Sequence, residues 1–480
     1  MIDLLLVAVP IAGAVLAYLI RANGWRSALL VAIAVFHAAI VASLWRQLQT
    51  PVDGSWIGLD DLGLIVLSVT SAVFLSVAVY AAAYLRSNVP RGGRVFVSCL
   101  LVFLGTTSLV ALSQHLALLW VGLEGTTLSL APLIYSRHDR RSLEAVWKYL
   151  VLSSVGIALA LLAVFLLANA QASDTGARTL LLTDLIGRAT RLDSWWLRAA
   201  YVFALAGFGT KMGLAPLHTW KPDAYGEAPS LVGGLLAGTL TTCAFLGLAR
   251  FTQIATAAGL DQFVRPLLIA AGVLSLVIAA AFIIGQSDVK RMLAYSSVEH
   301  MGLLVLGLGV GGVGVYGSVL HMVNNGLIKG ALFLAVGNLV IAAGTAVAAD
   351  MRDMRMARPA SALLVLAGLF AITGSPPFGL FVSEFSIIDG ALQQDHPWVA
   401  AITIVMLALI FVGLARMIIG ILYAPRAEPR EETASQRERA PFVIAPAFLT
   451  AIVLMFGLYI PPALQAALTR AAATLGGHSP

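Results

Sequence analysis

Residues 197–217 read LRAAYVFALAGFGTKMGLAPL, an apolar run of spanning length with one lysine, Lys211, and one proline, Pro216, inside it. About 20 apolar residues cross a bilayer core as a helix. A lysine near the middle of such a helix costs roughly 2.5–3.5 kcal/mol on insertion scales. The stretch therefore reads as a membrane span with a functional charge. Pro216 disturbs the hydrogen-bond ladder and frees carbonyls near the lysine.

The whole chain agrees with this reading. Its 480 residues are 59% hydrophobic and 11% charged, with a mean hydropathy of +0.91. Soluble domains carry about 25% charged residues. The composition excludes a soluble enzyme, a nucleic-acid binder, a disordered chain and a disulfide scaffold. The net charge of +6 is no nucleic-acid signal, and 25 of the 30 basic residues are arginine. The lysines are Lys148, Lys211, Lys221, Lys290 and Lys329. Cys99 and Cys243 fall in separate apolar runs and cannot alone build an iron–sulfur or zinc site, which needs about four ligands.

Fourteen apolar runs of spanning length follow one another: 2–20, 27–45, 62–83, 95–113, 116–135, 146–169, 197–217, 230–250, 265–285, 290–309, 314–345, 360–390, 398–423 and 442–464. The fold class is all-α and polytopic. The first run has no basic residues before it, so a retained span is expected rather than a cleaved signal peptide. The runs 314–345 and 360–390 are too long for one straight helix. Pro376 and Pro377, in Gly374-Ser375-Pro376-Pro377, break the second. Loops after the odd-numbered spans carry eighteen basic residues against eight on the other side. By the positive-inside rule both termini face away from the cytoplasm. The longest connections, 170–196 and 424–441, are too short to fold as domains. The short glycine pattern at Gly307, Gly309 and Gly312 links two spans with no strand before it and reads as a turn, not a nucleotide site.

Charges inside spans are rare and usually face a partner or a water-filled cavity. Glu124, in LLWVGLEGTTLSLAPL, has apolar or small neighbours on both sides and cannot reach the interface. A Glu124–Lys211 pair that can open is one way to gate a proton, because a lysine taken out of water releases its proton more readily. His321, Asn325 and Lys329 are spaced i, i+4, i+8 and form a polar stripe on one helix face. His300, next to Glu299 and one turn after Ser296 and Ser297, suits proton relay. Glu384 follows the Pro-broken segment, and broken helices lining a cavity are a recurrent transporter device. Lys148 has Glu144 one turn before it, which fits either a structural pair or a cytoplasmic entrance. Arg416 lies inside span 13, where its long side chain can snorkel. Lys221, Asp223 and Glu227 are expected at the membrane surface, in a turn.

Spans 4–8 hold Glu124, Lys148 and Lys211. Spans 9–13 hold His300, Lys329 and Glu384. Five spans against five suggest two inverted repeats with broken spans 7 and 12. The expected organisation is 1–83 for spans 1–3, 84–253 for the first half, 254–425 for the second, and 426–480 for span 14 and the tail.

FGTKMGLAPLHTWKPDAYGEAPS, DVKRMLAYSSVEHMG and SPPFGLFVSEF resemble the seventh-, tenth- and twelfth-span motifs of one family. It comprises the proton-conducting antiporter-like subunits of complex I, Mrp antiporters and energy-converting hydrogenases. The resemblance covers roughly residues 60–425. SVEHMG and TTCAFLGLARF look closest to hydrogenase-4 component F, and the lateral helix of the longest complex I member is not expected here. The resemblance implies a proton pathway through Glu124, Lys211, His300, Lys329 and Glu384. It departs from the family at Thr242, where an eighth-span lysine is common, and at Asn325, where several members have histidine. Neither group takes up a proton at neutral pH, so water is expected to bridge Lys211 to His300. The implied function is proton translocation within a complex I-like or group 4 hydrogenase-like complex of the cell inner membrane. Its membrane partners and cytoplasmic Fe–S or nickel–iron subunits would do the redox chemistry. No cofactor and no metal are expected in this chain, and no nucleic acid as partner. Alternatives are a stand-alone or Mrp-type cation/proton antiporter subunit, with sodium as the other ion, and the membrane subunit of an inorganic-carbon uptake complex.

Overall fold

The computed structural model describes residues 2–46, 54–87, 93–171, 178–425 and 438–478. The 425/426 boundary and parts of the two long connections (172–177 and 426–437) lie outside them.

Apolar side chains repeat through runs long enough to cross a bilayer, and the backbone must satisfy its own polar groups there, so the runs become helices. Spans 1–6 are Ile2–Leu19, Asn23–Leu44, Asp61–Ser87, Gly93–Leu112, Leu116–Ile134 and Arg140–Asn169. Span 7 is broken into Ser194–Met212 and Trp220–Glu227. Span 8 runs from Ser230 through a π-helical turn at Leu236–Leu240 into Thr241–Ala257. Spans 9–11 are Asp261–Ile284, Val289–Val310 and Val313–Ala343. Span 12 is broken into Pro359–Ile372 and Gly379–Gln393. Spans 13 and 14 are Pro397–Tyr423 and Ala440–Leu458, and a last helix, Pro462–Thr474, follows. Eleven of these helices are long and apolar enough to cross a membrane unaided.

The run 314–345, expected to be too long for one straight helix, is the unbroken 31-residue helix Val313–Ala343. It has no proline, and neighbours pack on every side of it, so its glycines lie in a crowded interior rather than in water. At about 1.5 Å per residue it is roughly 46 Å long and outreaches the hydrocarbon core. In span 7 the break begins before Pro216. Met212 is the last helical residue, and Gly213 takes the left-handed conformation at φ 75° that suits glycine. The Leu214 N–H then closes on the Gly209 carbonyl at 2.8 Å. The Thr210 carbonyl accepts from the Gly213 N–H at 3.0 Å and from the Trp220 indole at 2.9 Å, and Ser275 of span 9 accepts from the Ala215 N–H at 3.0 Å.

Spans 8, 10 and 11 form the interior. The neighbour pattern of spans 4–7 recurs in spans 9–12: 4 packs on 5 as 9 packs on 10, and 6 packs on the broken 7 as 11 packs on the broken 12. Spans 6 and 7 touch backbone to backbone. A Cβ on Gly207 would fall 2.5 Å from the Ala160 nitrogen and 2.7 Å from the Gly156 carbonyl oxygen. Such small-residue contacts let helices approach where no hydrophobic effect drives them together.

One buried ion pair ties span 8 to the start of span 3. Arg250 is 1% exposed and reaches Asp60 through two bonds of 2.5 and 2.7 Å. Burial pushes the Asp60 carboxyl up, but the Arg250 guanidinium outweighs it and holds the group below the usual carboxylate range.

Gly207→Ala is expected to cost about 1–3 kcal/mol through overpacking, whereas Gly24→Ala, with open space around it, is expected to be near neutral. Thermal midpoints of the detergent-solubilised protein compare the two. Asp60→Asn leaves Arg250 buried without a counter-charge and is expected to cost about 3–5 kcal/mol. The depressed Asp60 carboxyl contributes fully at neutral pH. That contribution fades as pH falls below about 4 towards the still lower folded value, so the gap between wild type and Asp60→Asn should close in acid.

Candidate functional site

Polar groups line up through the interior from span 5 to span 12. At one end Glu124 is half-buried, on the same helix face as the exposed Val121 and Leu128. Lys211 is fully buried at the last turn of the first half of span 7. The expected pair does not close directly. The Thr127 hydroxyl stands between, accepting a bond from Lys211 Nζ and facing Glu124 Oε2 at 3.3 Å. A hydroxyl can accept from an ammonium while donating to a carboxylate, so the bridge conducts in principle and keeps the charges apart.

The other end is a tight cluster. His300 Nδ1 and His321 Nε2 are 3.0 Å apart. His321 Nδ1 is 3.0 Å from the Ser383 hydroxyl of span 12. His300, His321 and Glu384 place donor atoms within 4.8 Å of one another, and these three could together hold a metal ion. One imidazole donating to the other also makes a proton relay. Glu384 lies against the span 12 break, where a Cβ on Gly374 would sit 2.7 Å from its carboxyl carbon. Gly374 has φ 60°, so glycine serves both the turn and the approach.

Between the ends, Lys329 donates to the Leu293 carbonyl of span 10 at 3.2 Å. Asn325, one turn earlier, has neither side-chain atom bonded to protein. Its stripe-mate His321 has turned to the cluster. Thr242 is buried, and its hydroxyl donates back to the Gly238 carbonyl of the π-helical turn at 2.7 Å, which leaves it only acceptor capacity. Lys148 belongs to a surface ionic group: it contacts Glu144 at 2.7 Å and Asp223 at 2.8 Å, and Asp223 contacts Arg291 at 2.7 Å. Pro216, Pro376 and Pro377 lie in the two breaks. Arg416 borders a cleft shared with Arg352 and Gln286.

Lys221 is the main departure from the sequence reading. Expected at the membrane surface, it is fully buried. The segment after the break folds inward, and Lys221 Nζ donates to the Ser297 hydroxyl of span 10 at 3.0 Å. Lys290 is also buried, bonded to the Gly226 and Ala228 carbonyls at 2.5 and 2.6 Å. It closes the C-terminal end of the short helix Trp220–Glu227, where a cation is favoured. Glu299 is buried against Ser296 at 3.2 Å, with His300 Nε2 at 3.9 Å. Thr127 also escaped notice, as a bridging hydroxyl carries no sequence mark. One signal was available. In a chain whose basic residues are mostly arginine, four of the five lysines prove buried.

Residues 113–410 match the family model described as NADH:quinone oxidoreductase/Mrp antiporter, TM. The chain is 31% identical over 435 residues to the hydrogenase-4 component F homolog of Methylacidiphilum infernorum (isolate V4), covering 88% of this chain and 90% of that one. Its fold superposes on a chain of the membrane-bound sulfane sulfur reductase, an archaeal respiratory membrane complex. The TM-score is 0.86 at 23% identity, over 99% of this chain and 98% of that one. A chain of respiratory complex I from Thermus thermophilus gives 0.84 at 22% identity, over 99% of this chain and 100% of that one. Matched by that model over more than half its length, and with both broken helices inside the matched stretch, the chain belongs to the NADH:quinone oxidoreductase/Mrp antiporter transmembrane family.

Proposed function

We propose that this chain is the proton-translocating membrane subunit of a complex I-like or group 4 hydrogenase-like oxidoreductase complex. It works in the cytoplasmic membrane with both termini facing outward. The observation that carries the proposal is the buried polar file from Glu124 and Lys211 to His300, Lys329 and Glu384. Polar atoms along it have no hydrogen-bond partner in the protein: His300 Nε2, both ends of Asn325 and Glu384 Oε1. Buried polar atoms are nearly always satisfied, by ordered water where protein does not serve. Their alignment supports a hydrated path.

Protons enter the file near Lys211, whose ammonium is held by Thr127 opposite Glu124. When Glu124 draws away, Lys211 loses its counter-charge and passes its proton inward. The imidazole pair and Glu384 hand it to the far side. Glu384 stands at the span 12 break, which gives it a route outward. The redox chemistry belongs to partner subunits with Fe–S or nickel–iron centres. A half-buried carboxylate on the outer face at mid-membrane depth is costly against lipid, and Glu124 therefore supports a neighbouring membrane subunit covering that face. No cofactor or metal is assigned to this chain.

The family also contains Mrp antiporters. Sodium-driven proton movement in vesicles with no electron donor would favour that reading, and a carbonic-anhydrase-like protein co-purifying with the chain would favour carbon uptake. The deciding experiment uses inside-out vesicles of the source cell oxidising hydrogen, formate and NADH in turn. Proton uptake is read by a fluorescent pH-gradient dye, and a strain lacking this chain sets the zero. The Glu124→Gln/Lys211→Ala double variant is expected to lose roughly tenfold or more of the signal, as for removal of positioned proton carriers. Full pumping would overturn the proposal. Thr127→Val is expected to lower the same signal several-fold with the protein level unchanged, and Thr127→Ser to restore it, because only the hydroxyl links Lys211 to Glu124.

A further inference from the structure

The file described above has a gap where the family often carries an eighth-span lysine and this chain has Thr242. Lys221 reaches from the span 7 break towards span 10, between Lys211 and His300. Its side chain crosses the face of Gly213, two residues after Lys211, where a Cβ would lie 2.3 Å from Lys221 Cε and 3.0 Å from its Nζ. Only glycine leaves that room. Its tip reaches Ser297 of span 10, three residues before His300. Tyr149, Trp220 and Tyr225 pack in series beside the two lysines. Lys211 Nζ lies 5.8 Å from the Tyr149 ring centre, and Lys221 Nζ lies 6.0 Å from that of Tyr225.

The contrast with Lys290 separates anchoring from carrying. Lys290 has two short carbonyl bonds at a helix C-terminus, which hold an ammonium permanently. Lys221 has three donors but one bond of ordinary length, to a hydroxyl, and a second of 3.4 Å to the Ser297 carbonyl. Among the described residues no carboxylate lies within ion-pair distance of it. An ammonium left so thinly compensated in a buried interior is expensive to keep charged, so Lys221 gives up a proton more readily than an anchored lysine such as Lys290, which suits a carrier. Resting on the proton-translocation reading, we propose that Lys221 is a proton-carrying residue of the axis, standing between Lys211 and the Glu299–His300 end in place of an eighth-span base. In the step, the neutral Lys221 amine accepts a proton that leaves the Lys211 ammonium through intervening hydroxyl groups or water. One N–H bond forms as the other breaks. The resulting Lys221 ammonium then gives a proton towards span 10 and returns to the amine, so no charge is left behind.

Arginine tests this directly. Its guanidinium keeps the charge and the hydrogen bond to Ser297 but does not give up a proton in proteins. A purely structural Lys221 would tolerate it. In the vesicles described above, Lys221→Arg is expected to lose roughly tenfold or more of donor-driven proton uptake, with the protein level in the membrane unchanged. If arginine is too bulky beside Gly213 for the protein to accumulate, Lys221→Gln decides: it is smaller, still donates to Ser297 and cannot carry a proton. Wild-type uptake in whichever of the two accumulates would overturn the inference. Lys211→Ala runs in parallel to separate the failures. Its loss of uptake beside an active Lys221 variant removes only this inference, and its full activity removes the proton-pathway reading with it.

Discussion

An ammonium or carboxylate group inside a membrane must find oxygen or nitrogen atoms to touch, because lipid offers none. Intact helices spend their backbone groups on themselves. The two broken spans are where this fold frees others. At the span 7 break, Gly213 ends the helix, the Trp220 indole adds a bond to the Thr210 carbonyl, and the short helix that follows turns Lys221 inward and exposes carbonyls for Lys290. At the span 12 break, Gly374 brings backbone against Glu384. The remaining helices pack around these two interruptions, and the most completely buried ones, spans 8, 10 and 11, are those that run between them.

The same requirement explains how the charges are distributed. Glu124 and Lys211 do not form a closed ion pair. The Thr127 hydroxyl stands between them, whereas Arg250 and Asp60 meet through two direct bonds and tie span 8 to the start of span 3. The imidazole pair likewise places two groups able to exchange a proton at hydrogen-bonding distance, with Ser383 fixing the outer nitrogen of His321.

Much of this was legible in the residues themselves. Fourteen runs of spanning length, a proline-broken twelfth span, and lone charges in apolar stretches are local features, and each survives into the structure because hydrophobic transfer acts on each segment separately. Other readings failed for a reason that is also physical. Lys221 sits in HTWKPDAYGEAPS, whose polarity looks like a surface turn, and the direction in which a turn folds is set by what it packs on. Thr127 and the His300–His321 contact join residues 84 and 21 positions apart, on different helices.

The sequence by itself determined that the chain is an all-helical membrane protein and which charged residues fall inside apolar runs, because composition and hydropathy are properties of each segment. Only the tertiary structure decided which of those charges meet, which are bridged by a hydroxyl, and that a lysine from an apparent loop reaches the interior. Those outcomes depend on distances between helices. Close packing sets these distances through glycines such as Gly213, whose missing side chain leaves the room that Lys221 fills.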